Sequence, residues 1–139
     1  MPDKHLRILV ADDQPYVRRA VRSLLESKRE WEVCGEACDG REAIAQTEAL
    51  HPDIVIMDMS MPNLNGLEAT RLIHQRFPAS DVVILTLHDF PDLPRIAQEA
   101  GAKGCVLKGT SSQFLIPAVQ SVSNCTPFFP HDRTGPPAS

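Results

Sequence analysis

No apolar run in this 139-residue chain approaches the ~20 residues needed to span a bilayer. The stretch from Met1 to Arg7, running into Asp12-Asp13, is too short and too acidic for a signal peptide. Positive charge is scarce as well. Lys and Arg number 14 against 18 Asp and Glu, leaving a formal net charge of -4 and no basic stripe, which argues against nucleic-acid binding by this segment. The four cysteines, Cys34, Cys38, Cys105 and Cys125, form no CxxC and have no histidine at metal-ligand spacing. Reduced thiols are therefore expected rather than disulfides or zinc ligation. Together these absences predict a cytoplasmic protein without a membrane partner. What remains, 42% apolar and 23% charged residues, is the composition of a soluble domain whose length suits one ordinary core.

Short apolar runs alternate with amphipathic stretches five times. Leu6 to Ala11 reads as a buried strand, and Pro15 to about Ser27 as a helix with Val17, Val21, Leu24 and Leu25 on one face. Glu32 to Ala37 is a weaker strand. Asp39 and Glu42 then supply an N-cap signature for a helix to about Leu50. Asp53 to Asp58 is a near-continuous apolar strand of the kind buried on both faces. Asn65 and Glu68 repeat the cap and open a helix to about Arg76. Val82 to Thr86 and Cys105 to Leu107 are the last two strands, followed by helices Leu93 to Ala100 and Ser112 to Ser123. Pro117 should kink or delay the last helix. Proline-rich and aperiodic, residues 125–139 read as a flexible tail or truncated linker after a domain spanning 1–124.

This alternation predicts an α/β fold: a five-stranded parallel sheet, flavodoxin-like, in the order 2-1-3-4-5 with helices on both faces. Ligands of such sheets bind beyond the C-terminal strand ends, where strand order reverses. Asp12-Asp13 end the first strand, Asp58 the third, Thr86 the fourth and Lys108 the fifth. Any one of these is most simply a turn, cap or surface residue; five at one edge, in strand order, form a constellation. Carboxylates about 4 Å apart repel by roughly 1 to 4 kcal/mol per pair, which a hard cation such as Mg2+ would relieve. With a lysine and a hydroxyl, they are the parts for stabilising a phosphoryl group, and an aspartate can accept one.

The runs Ile8 to Asp13, Met57 to Gly66, Leu85-Thr86 and Gly101 to Lys108 resemble the receiver domains of two-component response regulators, over roughly Leu6 to Ser123. Asn65 to Arg71 and Leu85 to Asp89 are similar to the NarL/FixJ class, whose members usually carry a C-terminal DNA-binding domain. The resemblance implies that Asp58 accepts phosphate from a histidine kinase or phosphotransfer protein in a Mg2+-dependent step. Asp13, Asp58 and the Ser60 carbonyl would ligate Mg2+, with Asp12 reaching it through water. Lys108, Thr86 and the backbone N–H groups of Ser60 and Leu87 would contact the phosphoryl oxygens. Ser60 and His88 would tune phosphoryl lifetime. It further implies a switching phosphoprotein with slow self-dephosphorylation rather than a turnover enzyme, able to form a homodimer on phosphorylation.

Three positions depart from the family pattern. Cys105 stands where a switching aromatic is usual, so the surface of helix four and strand five is expected to switch weakly or through backbone shifts. Pro117 puts the usual dimer geometry of helix five in question. Gly109 predicts a loosely held Lys108. Among other classes, aspartate-dependent phosphohydrolases carry Asp-x-Asp and a cap domain, and a flavodoxin would open a phosphate loop where Asp12-Asp13-Gln14-Pro15 stands. A degenerate receiver serving only as an interaction surface is opposed by intact Asp58, Thr86 and Lys108.

Overall fold

Residues 5–129 are described in a computed structural model. Five parallel strands, β1 (Leu6–Ala11), β2 (Trp31–Ala37), β3 (Ile54–Asp58), β4 (Asp81–Thr86) and β5 (Gly104–Leu107), form one sheet in the order β2-β1-β3-β4-β5. The helices between them are α1 (Pro15–Glu26), α2 (Gly40–Leu50), α3 (Gly66–Arg76), α4 (Leu93–Glu99) and α5 (Ser111–Ser123). The expected fold class and strand order are those observed.

Side chains alternate across the sheet, as strand geometry requires. Leu9, Ala11, Val55, Met57 and Ile84 pack with Ala43 of α2, Ile73 of α3 and Leu93 of α4. Ile8, Val10, Ile56 and Leu85 pack with Val21 and Leu25 of α1 and Leu115 and Val119 of α5. β3 lies between both layers and is buried at all five residues, which is why its sequence reads as a continuous apolar run. Fully burying one such aliphatic side chain stabilises by about 1.5–3 kcal/mol. Among the described residues no helix is long and apolar enough to cross a membrane.

The expected caps form. Asp39 accepts a hydrogen bond from the Glu42 N–H at 2.8 Å, and Asn65 accepts one from the Glu68 N–H at 2.9 Å, satisfying first-turn donors that have no intrahelical partner. After α4, Gly101 takes φ 97°, a left-handed conformation that stops the helix.

Two expectations need correction. α5 runs unbroken from Ser111 to Ser123 with Pro117 inside it, so the proline does not delay the helix. Its side chain faces solvent, where the carbonyl it leaves without a donor can be hydrated. The segment from residue 125 is also not a flexible tail in its first part. Cys125, at φ 65°, turns the chain back. Its N–H donates to the Val122 carbonyl and the Thr126 N–H to the Ser121 carbonyl, both at 2.9 Å, the paired bonds of a Schellman helix end. Phe128 then bridges Gly104 in parallel. The adjacent Phe128 and Phe129 point to opposite faces, Phe128 onto the α1–α5 layer and Phe129 into the α2–α4 layer. Burial of two aromatics outweighs the lack of a repeating pattern. The rest of the expected tail, 130–139, lies outside the described residues.

Candidate functional site

β1 and β3 are neighbours in register, Ala11 opposite Met57, so the residues that follow Ala11 emerge beside Asp58. This is the strand-order reversal, and the acidic residues fall there. Asp12 is 2% and Asp58 5% exposed; Asp13 is half-buried. One carboxylate oxygen from each of the three lies within 4.8 Å of the others.

The loop carrying Asp58 is held by close backbone packing. The Gly66 N–H donates to the Met59 carbonyl at 2.9 Å, and a β-carbon at Gly66 would lie 2.0 Å from the Asp58 carbonyl oxygen. Only glycine lets α3 begin so near the end of β3. On the β1 side the Gln14 N–H donates to Asp12 Oδ1 at 2.9 Å. Arg18, on α1, donates to the Asp12 carbonyl at 2.7 Å and to Glu36 Oε1 at 2.8 Å. Burial works against ionised Glu36, but Arg18 and Arg22 hold its carboxyl below the usual carboxylate range. Arg18 thus ties the Asp12-Asp13 turn to the end of β2.

Lys108 reaches in from beyond β5. Its Nζ lies 2.8 Å from Asp12 Oδ2 and 3.3 Å from Asp58 Oδ1, with a side chain 14% exposed. The lysine is therefore firmly held, contrary to the expectation from Gly109. The turn Lys108–Thr110 is one of 3-10 helix, which fixes the lysine backbone, and Gly109 faces open space. Burial disfavours the ammonium, yet contact with Asp12 and Asp58 outweighs it and raises the lysine pKa.

Burial pushes the Asp58 carboxyl up to about 6, reinforced by repulsion from Asp12 and opposed by Lys108 and the Ser60 N–H. That N–H lies 3.3 Å from Asp58 Oδ1. Asp12 Oδ2 is buried against the Lys108 ammonium, 2.8 Å away. Three clustered carboxylates beside one ammonium make an all-oxygen set that fits a hard cation such as Mg2+.

The remaining sequence-derived residues divide. Thr86 is buried, and its hydroxyl accepts from the His88 N–H at 3.1 Å. Thr86, Leu87, His88 and Ser60 line a groove of about 670 Å³ that also contains Asp58 and Lys108 and continues over Tyr16 and Val17 of α1. Leu87 is 72% and Tyr16 65% exposed. Cys105 is not in this group. It lies buried in the α2–α4 layer, where burial drives its thiol up to about 12.

Sequence reasoning missed two contributors. Nothing in the sequence links Arg18 to Glu36 across a strand–helix unit. Gly66 had a signal, a glycine inside the first turn of a capped helix just beyond a buried strand, but its close approach is a tertiary fact.

Residues 8–120 match the family described as response regulator receiver domain. The response regulator UvrY of Escherichia coli K12 is 38% identical over 117 residues, covering 84% of this chain and 54% of UvrY. The chain spans about half the length of the curated relatives it matches. A LuxR-family two-component response regulator from Aurantimonas sp. SI85-9A1 superposes with a TM-score of 0.88 at 34% identity, covering 94% of both chains. The isolated REC domain of RcsB from Salmonella enterica serovar Typhimurium, solved with phosphomimetic BeF3-, gives 0.85 at 25% identity, covering 94% of this chain and 97% of that one. With an acid cluster at the switch point of a 2-1-3-4-5 sheet, this chain belongs to the receiver-domain family of two-component response regulators.

Proposed function

We propose that Asp58 is the phosphoryl acceptor of this receiver, with Lys108 and Thr86 completing the reacting site. The observation carrying this is the convergence of Asp12, Asp13, Asp58 and the Lys108 ammonium on one buried pocket. Asp58 and Lys108 line the groove together with Thr86, Leu87 and Ser60, whereas Asp12, which also meets Lys108 and a backbone N–H, does not. In the reaction an Asp58 oxygen bonds to phosphorus as the phosphorus–nitrogen bond of a phosphohistidine breaks, and the imidazole leaves with the electron pair. The donor is a histidine kinase or phosphotransfer protein, seated along the groove over Tyr16 and Leu87. Lys108, the Thr86 hydroxyl and the N–H groups of Ser60 and Leu87 hold the phosphoryl oxygens.

Asp13, Asp58 and the Ser60 carbonyl would hold Mg2+, with Asp12 assisting from beside them. Bound there, it would supply positive charge beside the transferring group and keep Asp58 ionised. Ser60 and His88, at the mouth of the groove, govern the approach of the water that returns Asp58 to its free state. The domain so described is a switch that takes and slowly loses one phosphoryl group, not a turnover enzyme, and the phosphorylated form is the one able to pair as a homodimer.

Incubation with acetyl phosphate and Mg2+ should add one phosphoryl mass to the parent and none to Asp58→Ala, with labelling lost on chelation. Equal labelling of the variant would overturn the assignment.

A further inference from the structure

The outer edge of β5 is covered by the chain's own segment Thr126–Phe129. Among the described residues two backbone bonds join it to the sheet edge: the Cys105 N–H donates to the Phe128 carbonyl at 2.8 Å, and the Phe128 N–H donates to the Lys103 carbonyl at 3.0 Å. The side chains do the rest. Phe128 meets Phe114 of α5 at a ring separation of 6.4 Å. Phe129, 7% exposed, shares a cluster with Cys105, Leu93 and Ala97, where the small thiol side chain of Cys105 takes up little volume. The reversal leading into this strap is a built turn. Cys125 adopts φ 65° without being glycine, and the Ser121 hydroxyl donates to the Thr126 carbonyl at 2.9 Å.

The strand that carries the strap also carries Lys108. β5 has four residues, Gly104–Leu107, and Lys108 follows directly. At one end β5 bonds to the strap; at the other its lysine spans Asp12 and Asp58. A strand this short, paired with β4 from Gly104 to Leu107, moves as a unit. A new anion on Asp58 draws the ammonium from Asp12, shifts β5, and strains the least-bonded contact on it, which is the strap.

We propose that Thr126–Phe129 is a releasable latch on β5, docked while the Asp58 site is free and loosened when a phosphoryl group on Asp58 engages Lys108. The coupling rests on the assignment of Asp58 as acceptor; the docking itself does not. Residues 130–139 follow the latch directly in the sequence, so its release would pass the state of the site to them.

The test uses Cys105 as a reporter in the full chain. Iodoacetamide labelling is followed residue by residue by mass spectrometry, with and without acetyl phosphate and Mg2+, alongside amide exchange at Phe128 and intact mass. Cys105 should label slowly in the untreated protein. In the phosphorylated protein it should label about fivefold faster or more, the low end of measured couplings, with faster exchange at Phe128. Phe129→Ala should speed Cys105 labelling without phosphorylation, and Cys125→Gly, which relaxes the turn, should slow it. Half-buried Cys34, in β2 far from the strap, reports general unfolding: a parallel rise there would assign the Phe129→Ala effect to lost stability, leaving Cys125→Gly to decide. A phosphoryl gain with unchanged Cys105 labelling and Phe128 exchange overturns the latch while sparing Asp58. Absence of phosphoryl gain overturns the acceptor assignment and the coupling together. Unchanged Cys105 labelling in both variants overturns the docking.

Discussion

The centre of this sheet and its outer edge at β5 are built on opposite terms. Between β1 and β3, three carboxylates and a lysine are held by interlocking contacts: Gly66 against the Asp58 carbonyl, Gln14 on Asp12 Oδ1, and Arg18 on the Asp12 carbonyl. At the outer edge of β5 a strap hangs on two backbone bonds and two aromatic rings. The first region concentrates charge that an empty fold would rather disperse, so it must be rigid. The second has little to hold it, so it can respond. A domain that converts a local charge event into a change elsewhere needs both kinds of region.

The sharpest way to break the rigid region is Gly66→Ala. A β-carbon 2.0 Å from the Asp58 carbonyl must push α3 from the loop, and overpacking of this kind costs about 3 kcal/mol. Urea denaturation should show that loss, together with weaker Mg2+ binding. An unchanged midpoint would mean the loop is softer than described. Lys108→Met comes next. It leaves Asp12 and Asp58 without their buried cation, and should destabilise the metal-free protein by about 2–3 kcal/mol at pH 7.5. Added Mg2+ should recover part of that loss, as seen in thermal melts.

Asp58→Asn should act in the other direction. The folded carboxyl is raised to about 6, above its unfolded value of about 3.9, so the folded state binds the proton more tightly. The ionised carboxylate is then a burden on the fold that is full above pH ~6 and absent below pH ~4. Removing it should stabilise the chelated protein by about 1–2 kcal/mol at pH 7.5, allowing for screening, and by nothing near pH 4. A gain independent of pH would contradict the strained-charge account. The same titration predicts that phosphoryl uptake falls as pH drops through about 6, with the fall displaced to lower pH by rising Mg2+. The smallest effect belongs to the responsive edge. Cys125→Gly relieves a left-handed residue with a β-carbon and should stabilise by about 1 kcal/mol, read as slower exchange of the Phe128 amide.

The contrast also explains what could be read in advance. Four of the five strands, β2 excepted, end in or run directly into a residue whose type betrays its place, and Asp39 and Asn65 mark their helices by cap chemistry that operates within four residues. Local signals of this kind survive in sequence. Lys108 was legible as a site residue, but its firm seating was not, because the partners that hold it come from β1 and β3 across the sheet. Arg18 reads as a solvent-facing helix residue until Glu36 is brought beside it by the β1–β2 pairing. The strap escaped notice for a different reason. One bridging residue makes no period, and Pro127 suggests a linker. The neighbouring pair Phe128-Phe129 was the usable signal, since two adjacent rings on an extended segment need covered surface on both sides.

The most direct test of the central claim is to trap the modified side chain. Protein treated with acetyl phosphate and Mg2+ is reduced with borohydride, which converts an aspartyl phosphate to homoserine, and the peptides covering β3 and the Asp12-Asp13 turn are sequenced by mass spectrometry. The account predicts homoserine at position 58, dependent on Mg2+ and absent after chelation. Homoserine at Asp12 or Asp13, or modification that ignores the metal, would contradict it.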